Sequence, residues 1–154
     1  LQLAPGGTTS EAVDAELDEL VRRGFLTQLQ RQVIPARRLA AFLNSALGQA
    51  MAASRHCQRE FKFSLLVPAK EYFPDSGEEE LLLQGVIDAW FEEENGISVV
   101  DFKSDRISPG RELARAEEYR PQLEAYSRAL GAILGRPVSR KILWFFATDS
   151  MVEL

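Results

Sequence analysis

The sequence has very little of the chemistry that thiols and imidazoles supply. Cys57 is the only cysteine and His56 the only histidine among 154 residues. A single thiol cannot form a disulfide framework, a four-cysteine zinc site or an iron–sulfur cluster. Adjacent side chains tend to point apart, so His56 is poorly placed to activate Cys57 as a nucleophile. We therefore expect no iron–sulfur cluster and no catalytic cysteine in this chain, and a reducing, intracellular setting.

Long apolar runs and nucleotide-binding motifs are also missing. No apolar run approaches the roughly 20 residues that cross a bilayer, and no signal-peptide pattern opens the chain. The phosphate-binding motif G-x-x-x-x-G-K-[ST] does not occur. The net charge of −5 argues against a protein that coats nucleic acid by bulk attraction. We expect a cytoplasmic protein without membrane contact, and the first residue, Leu1, indicates a piece of a longer chain.

The spacing of the apolar residues predicts an α/β fold. Helical spacing extends over about residues 8–54, and alternation typical of strands follows over 58–103. A second helical pattern covers 111–134, and a mostly buried strand follows at 140–148. The order α-α-β-β-β-α-β indicates a central sheet covered by helices.

Three charged residues interrupt the two middle strands, in the stretch "LLLQGVIDAWFEEENGISVVDFKSD". If Asn95-Gly96 forms a two-residue hairpin loop, Trp90 faces Asp101 and Asp88 faces Lys103. Alternation along each strand then places these four side chains on one face. The opposite face is predicted to be apolar and to consist of Ile87, Ala89, Phe91, Val100 and Phe102.

This predicted face allows two interpretations. Asp88 and Asp101 are diagonal neighbours, roughly 7–8 Å apart, so both carboxylates can converge on one Mg²⁺ or Mn²⁺. A lysine beside them, Lys103, could hold a water nucleophile or offset negative charge. The alternative is a cross-strand ion pair between Asp88 and Lys103, with Asp101 in solvent.

Basic residues recur after the second of these strands, and they too allow two interpretations. They form either a local strip that binds nucleic acid or a solvated helix face. The residues are Lys103, Arg106, Arg111, Arg115 and Arg120.

Three motifs occur together in a fixed order: "GVIDAWF", "VVDFKSD" and "EYRPQLEAYSRAL". In this combination the sequence resembles the RecB-like nuclease domain of the PD-(D/E)xK superfamily. It is most similar to the C-terminal nuclease domain of AddA-type helicase–nuclease subunits, from about Glu11 to Phe146. The resemblance implies a restriction-endonuclease-like fold, with a central mixed sheet flanked by helices.

The resemblance also implies a role for individual residues of the strands. Asp88 matches the first metal-binding aspartate, Asp101 the second acid, and Lys103 the lysine of the D-x-K element. The main-chain carbonyl of Phe102 would complete the metal shell. Glu60, in "REFKF", matches an acidic position on the first core strand.

Two residues of the following helix match the family motif Q-L-x-x-Y. Gln122 and Tyr126 lie one helical turn apart and project from the same side. The resemblance places them beside the site, in contact with DNA or with the lysine, whereas their spacing alone favours a packed helix face. Family members usually carry a metal-site histidine on a helix upstream of this chain, and His56 does not match it.

The function implied by the resemblance is Mg²⁺-dependent hydrolysis of DNA, with Mn²⁺ as a possible substitute. Residues 1–154 would form one domain, with a helical part at 1–56 and the catalytic core at 57–154. The parent protein would be a bacterial, cytoplasmic, ATP-dependent helicase–nuclease that processes double-strand DNA ends for recombinational repair. It would act on double-stranded ends and single-stranded DNA with an AddB-like partner subunit, and ATP would bind only in the helicase part. The alternative is a module that binds DNA or a partner without cleaving.

Overall fold

Within residues 7–154, four short helices precede a five-stranded sheet, and one long helix crosses the sheet between its third and fourth strands. The computed structural model describes residues 7–154, so Leu1 lies outside the described part. The helices are α1 (Ser10–Arg22), α2 (Gln28–Val33), α3 (Ala36–Asn44), α4 (Ala46–Ala53) and α5 (Glu112–Leu134). The strands are β1 (Cys57–Pro68), β2 (Glu80–Glu93), β3 (Gly96–Lys103), β4 (Val138–Phe145) and β5 (Ser150–Glu153), and a 3₁₀ turn spans Ala69–Glu71.

The strands form one mixed sheet in the order β1-β2-β3-β4-β5. The pair β3 and β4 is parallel and is joined by α5, whereas the other neighbours are antiparallel. The predicted α/β fold with a mixed sheet and flanking helices is confirmed. The fifth strand was not predicted, because it is only four residues long and follows a turn at Asp149, where φ is +51°.

The N-terminal part contains four helices rather than the two that the periodicity predicted, because local signals divide it. Thr27 and Gln30 form a reciprocal capping box that starts α2. Pro35 precedes α3, and the Ser45 side chain accepts the N–H of Gly48 to start α4. Among the helices of residues 7–154, none combines the length and the apolar character that spanning a membrane requires.

The two faces of the sheet pack against different helices. On one face, Leu47 and Met51 of α4 contact Phe91 and Val100 in a core that also holds Trp144. On the other face, residues of α5 pack against β2, β3 and β4 in two clusters. The buried α5 residues of these clusters are Ala116, Leu123, Ala129 and Leu130.

The assignment of residues to faces changes along β2. Ala89 packs toward α4, as predicted, but Ile87 belongs to the cluster on the α5 side. On a regular strand, side chains two residues apart lie on the same face of the sheet. The predicted apolar face is therefore wrong for Ile87, and the change of face falls at Asp88.

The register of β2 and β3 also differs from the predicted one. Trp90 lies opposite Val99, and Glu93 lies opposite Gly96, so Glu94-Asn95 forms the two-residue loop. The pairing is displaced by two residues, which preserves the side-chain alternation. Gly96 is not a loop residue but the first residue of β3, with φ +139°. A Cβ at Gly96 would lie 2.8 Å from the Ser139 hydroxyl oxygen of β4. Glycine at this position therefore allows β4 to lie close to the start of β3.

We expect Gly96→Ala to lower the free energy of unfolding by about 1–3 kcal/mol, because it combines an unfavourable φ with a steric clash. The matched control is Asn95→Ala in the adjacent, exposed loop, which should change stability by less than about 0.5 kcal/mol. Urea unfolding followed by circular dichroism measures both. Equal effects of the two substitutions would contradict the observed register.

Candidate active site

Asp88 lies where β2 and β3 separate. The β2–β3 pairing ends at Ala89 and Val100, whereas β3 continues to pair with β4 as far as Lys103. Oδ2 of Asp88 accepts the main-chain N–H of Phe102 at 2.8 Å. The carboxylate thus replaces the strand carbonyl that would otherwise satisfy this donor. Asp88 is held directly against the main chain that carries Asp101 and Lys103.

Glu60 occupies a strained position beside Asp88. Its φ is +52°, in the left-handed region that non-glycine residues rarely adopt. Arg59 pairs with Ala89 and Phe61 with Ile87, but Glu60 itself is left out of the ladder. Glu60, Arg59, Asp88 and Phe102 line one open pocket. Backbone strain of this kind is concentrated at functional sites, so the predicted role of Glu60 gains a physical basis.

Asp101 and Lys103 form a buried ion pair on the α5 side of β3. Asp101 is 3% exposed, and the Lys103 side chain is 12% exposed. Burial raises the pKa of the Asp101 carboxyl, and the Lys103 ammonium counteracts this effect. Oδ2 of Asp101 is the atom that contacts the Lys103 ammonium, and it accepts no other hydrogen bond from the described residues. The Lys103 ammonium is therefore the partner of this buried acceptor among residues 7–154.

Helix α5 fixes the other side of Lys103. Nζ of Lys103 donates to Oε1 of Gln122 at 3.1 Å, and Nε2 of Gln122 donates to the Tyr126 hydroxyl at 2.8 Å. Lysine has only donors, so the amide oxygen of Gln122 must face it and the amide nitrogen must face Tyr126. Of the two contacts that the resemblance implied for Gln122, the structure shows the one with the lysine.

Two residues that sequence analysis missed complete this network. Nζ of Lys103 lies 3.8 Å from the centre of the Tyr119 ring, and the Tyr119 hydroxyl donates to Oδ2 of Asp105 at 2.7 Å. Burial would raise the pKa of Asp105, but hydrogen bonds from Tyr119 and Arg115 lower it on balance. Tyr119 precedes Gln122 and Tyr126 by three and seven residues, a helical spacing that could have identified it.

The ion-pair alternative that the sequence left open is wrong. Lys103 pairs with Asp101 rather than with Asp88, and Asp101 is buried rather than in solvent. Nor do the basic residues form one strip. Arg115 binds Asp105 and Glu118, and the Arg120 guanidinium binds Glu117.

The donor atoms at this site fit a hard cation. Two carboxylates, Asp88 and Asp101, flank the main chain of Phe102, and the partner of Oδ2 of Asp101 among the described residues is the Lys103 ammonium. Oxygen ligands in small number suit Mg²⁺, which usually keeps several of its waters. Within residues 7–154, no three His, Cys, Asp or Glu side chains come close enough to hold a metal ion. Water would therefore have to supply the remaining ligands of a cation at this site.

The fold and the site together define the class of protein: the chain belongs to the PD-(D/E)XK nuclease superfamily, whose profile matches residues 2–153. It is similar to an ATP-dependent helicase/nuclease subunit of Acetivibrio thermocellus, with 39% identity over 141 residues. These residues are 88% of this chain and 11% of that protein. The corresponding helicase/nuclease subunit of Desulforudis audaxviator is 38% identical over 148 residues, 94% of this chain and 12% of that protein.

The resemblance to AddA-type subunits is thus confirmed, and the chain spans only 11–12% of the length of these curated relatives. Among solved structures, the crystal structure of SSO0001 overlaps 92% of this chain and 61% of its own chain. Its TM-score is 0.46 and its sequence identity is 16%.

The strain at Glu60 predicts an unusual order of stabilities. Glu60→Gly and Glu60→Ala both remove the carboxylate, but only glycine adopts φ +52° without a steric penalty. We expect the glycine variant to be more stable than the alanine variant by about 1 kcal/mol. Chemical denaturation measures the difference, and Lys62→Gly against Lys62→Ala on the same strand is the control, where alanine should be favoured. A Glu60→Ala variant as stable as Glu60→Gly would contradict a strained Glu60.

Proposed function

We propose that this chain is a nuclease domain that hydrolyses DNA phosphodiester bonds with Mg²⁺, for which Mn²⁺ can substitute. The observation that carries the proposal is the buried Asp101–Lys103 pair, held beside Asp88 by the Phe102 main chain. Burying an ion pair is costly in free energy, so a merely structural role is a poor explanation for it. Residues 1–154 form a single domain in this proposal, with 1–56 as its helical part and 57–154 as its catalytic core.

The residues of the site have separate roles in the proposed reaction. Asp88, Asp101 and the main-chain carbonyl of Phe102 would hold the cation. Glu60, which lines the same pocket as Asp88, is the candidate for a further contact to it. When bound, the metal ion supplies Lewis-acid activation of water and neutralises charge on the phosphate. Lys103 orients the nucleophilic water or offsets the negative charge that develops during hydrolysis.

Lys103 can act in this way only if its ammonium is fixed. Asp101 and the Tyr119 ring hold it on two sides, and the amide oxygen of Gln122 accepts a hydrogen bond from it. Tyr126 in turn holds the Gln122 amide. Gln122 and Tyr126 are thus positioning residues that act through Lys103.

For the longer protein, we propose the activities that the names of the relatives state. Both relatives are named as a subunit of an ATP-dependent helicase/nuclease. The parent would be a cytoplasmic bacterial enzyme that processes double-strand DNA ends, with both double- and single-stranded DNA as substrates. ATP would bind in its helicase part, and an AddB-like subunit would be its partner.

A second candidate function is a nuclease-fold module that binds DNA or a partner subunit without cleaving it. The observation that favours it is the lack, within the described part of the chain, of three acidic or imidazole ligands around one point. The two candidates differ in what the acids do. A module that only binds DNA would retain its function after Asp101 is replaced.

The first test is metal binding. Asp88→Asn and Asp101→Asn should each weaken Mn²⁺ binding, and with it DNA cleavage, by about a hundredfold or more, because each removes a negatively charged ligand. Isothermal titration calorimetry and a radiolabelled DNA digest measure the two quantities. Asp75→Asn, in the exposed loop after the 3₁₀ turn, is the charge-matched control and should change neither. Unchanged cleavage by Asp101→Asn would exclude the catalytic assignment and favour the binding module.

The second test concerns the positioning of Lys103. Gln122→Ala removes an acceptor of Lys103 but no proposed metal ligand, so cleavage should fall by about tenfold while Mn²⁺ affinity stays unchanged. Gln122→Glu keeps an oxygen acceptor at the same distance and should restore part of the activity. Gln84→Ala, on the exposed face of β2, is the control. Loss of Mn²⁺ binding in Gln122→Ala would show that the helix supports the metal site instead.

A further inference from the structure

Three adjacent cavities extend from Asp88 along helix α3. Arg59 and Phe102 line both the pocket that holds Asp88 and a second, mostly apolar cavity. Leu39 and Phe146 line both this second cavity and a third, which also contains Arg38 and Arg106. Each cavity shares lining residues with the next, and we name the three together the α3 groove. Its defining residues are Arg59, Phe102, Leu39, Phe146, Arg38 and Arg106.

The three arginines of the α3 groove have no carboxylate partner among residues 7–154. Arg38 instead donates to the main-chain carbonyl of Phe146, which fixes its guanidinium at the wall of the third cavity. Arg59 and Arg106 are exposed and form no salt bridge with a described residue. By contrast, the guanidinium groups of Arg115 and Arg120 on α5 are neutralised by acids of this chain. Three arginines without an acidic partner among the described residues thus lie along the α3 groove.

The groove also presents aromatic surface between these charges. The rings of Phe102 and Phe146 are stacked, with centroids 5.8 Å apart and planes inclined by 29°. Both rings are half-buried and line the middle cavity. The third cavity has a volume of about 450 Å³, within the range of roughly 300–1,000 Å³ that is usual for small-molecule sites.

We propose that the α3 groove binds a single strand of nucleic acid next to the bond that is cleaved. Alternating arginines and aromatic rings fit phosphates and unpaired bases, because a base can stack only when its face is not covered by a partner strand. Phosphates would contact Arg59 on the Asp88 side and Arg38 and Arg106 at the far end, with a base against Phe146. The proposal rests on the proposed nuclease function for the position of the cleaved bond.

The decisive experiment measures binding without cleavage. Fluorescence anisotropy of a labelled deoxythymidine 12-mer in EDTA gives the Kd of the 154-residue chain at several salt concentrations. Arg106→Ala should weaken binding by about three- to tenfold and reduce the salt-dependence slope by about 0.7, since one phosphate contact to a single strand is lost. The exposed Arg106 side chain forms no ion pair within residues 7–154, so this variant should fold normally.

Arg111→Ala is the matched control. Arg111 lies five residues after Arg106, is also exposed, and lines a different cavity with Arg115 and Glu118. Arg111→Ala removes the same charge and should change the Kd by less than about twofold, because salt screens the attraction between Arg111 and a strand in the distant groove. Equal weakening by Arg106→Ala and Arg111→Ala would overturn the α3 groove, because binding would then follow only net positive charge.

Two further measurements separate the possible occupants. Phe146→Leu keeps an apolar wall but removes the ring, and should weaken single-strand binding by about tenfold while leaving the salt slope unchanged. A blunt 12-base-pair duplex should bind more weakly than the single strand and depend less on Arg106. A duplex that binds as tightly, with the same dependence on Arg106, would overturn the single-strand assignment.

Failure of this proposal is distinguishable from failure of the nuclease function. Wild-type protein that does not bind the 12-mer even at 50 mM salt would exclude the α3 groove as a strand-binding site, whatever its cleavage activity. Conversely, Asp88→Asn and Asp101→Asn test cleavage without altering the groove arginines. A variant that binds the strand but does not cut it would leave the groove assignment intact.

Discussion

The separation of β2 from β3 beyond Ala89 and Val100 is the constraint on which the rest of the site depends. It leaves the main-chain N–H of Phe102 without a strand acceptor on β2, and such a donor needs another acceptor. The Asp88 carboxylate provides this acceptor. One hydrogen bond thereby satisfies the strand donor at the gap in the sheet and holds one acidic residue against the segment that carries Asp101 and Lys103.

The gap has an energetic cost that the surrounding core must offset. Asp101 and Lys103 lose most of their hydration, and Glu60 holds a backbone conformation that costs on the order of 1–2 kcal/mol. The neighbouring strand positions are filled by fully buried apolar side chains such as Phe91 and Leu143. The protein therefore combines a tightly packed core with a locally unfavourable site, as expected where function rather than stability sets the residues.

The two faces of the sheet carry different kinds of side chain around this gap. On the α5 side, Gln122 and Tyr119 contact the lysine, and the Arg115 guanidinium is paired with Asp105. On the α3 side, the arginines lack acidic partners and aromatic rings line the cavities. Because β1 and β2 change faces at Glu60 and Asp88, the acids lie at the border between the two regions. In the function that we propose, hydrolysis and strand binding would therefore take place next to each other.

The sequence alone determined the α/β class, the sheet with its flanking helices, and the presence of acidic residues in adjacent strands, because periodicity records which side of an element is buried. It could not determine which charged side chains form ion pairs with each other. The close approach of Gly96 to Ser139, 43 residues later, and the hydrogen bond from Lys103 to Gln122 on α5 both join segments that are distant in the chain. Nor does alternation predict where a strand changes faces. Only the tertiary structure decided these features, because each is fixed by contacts between residues far apart in the chain.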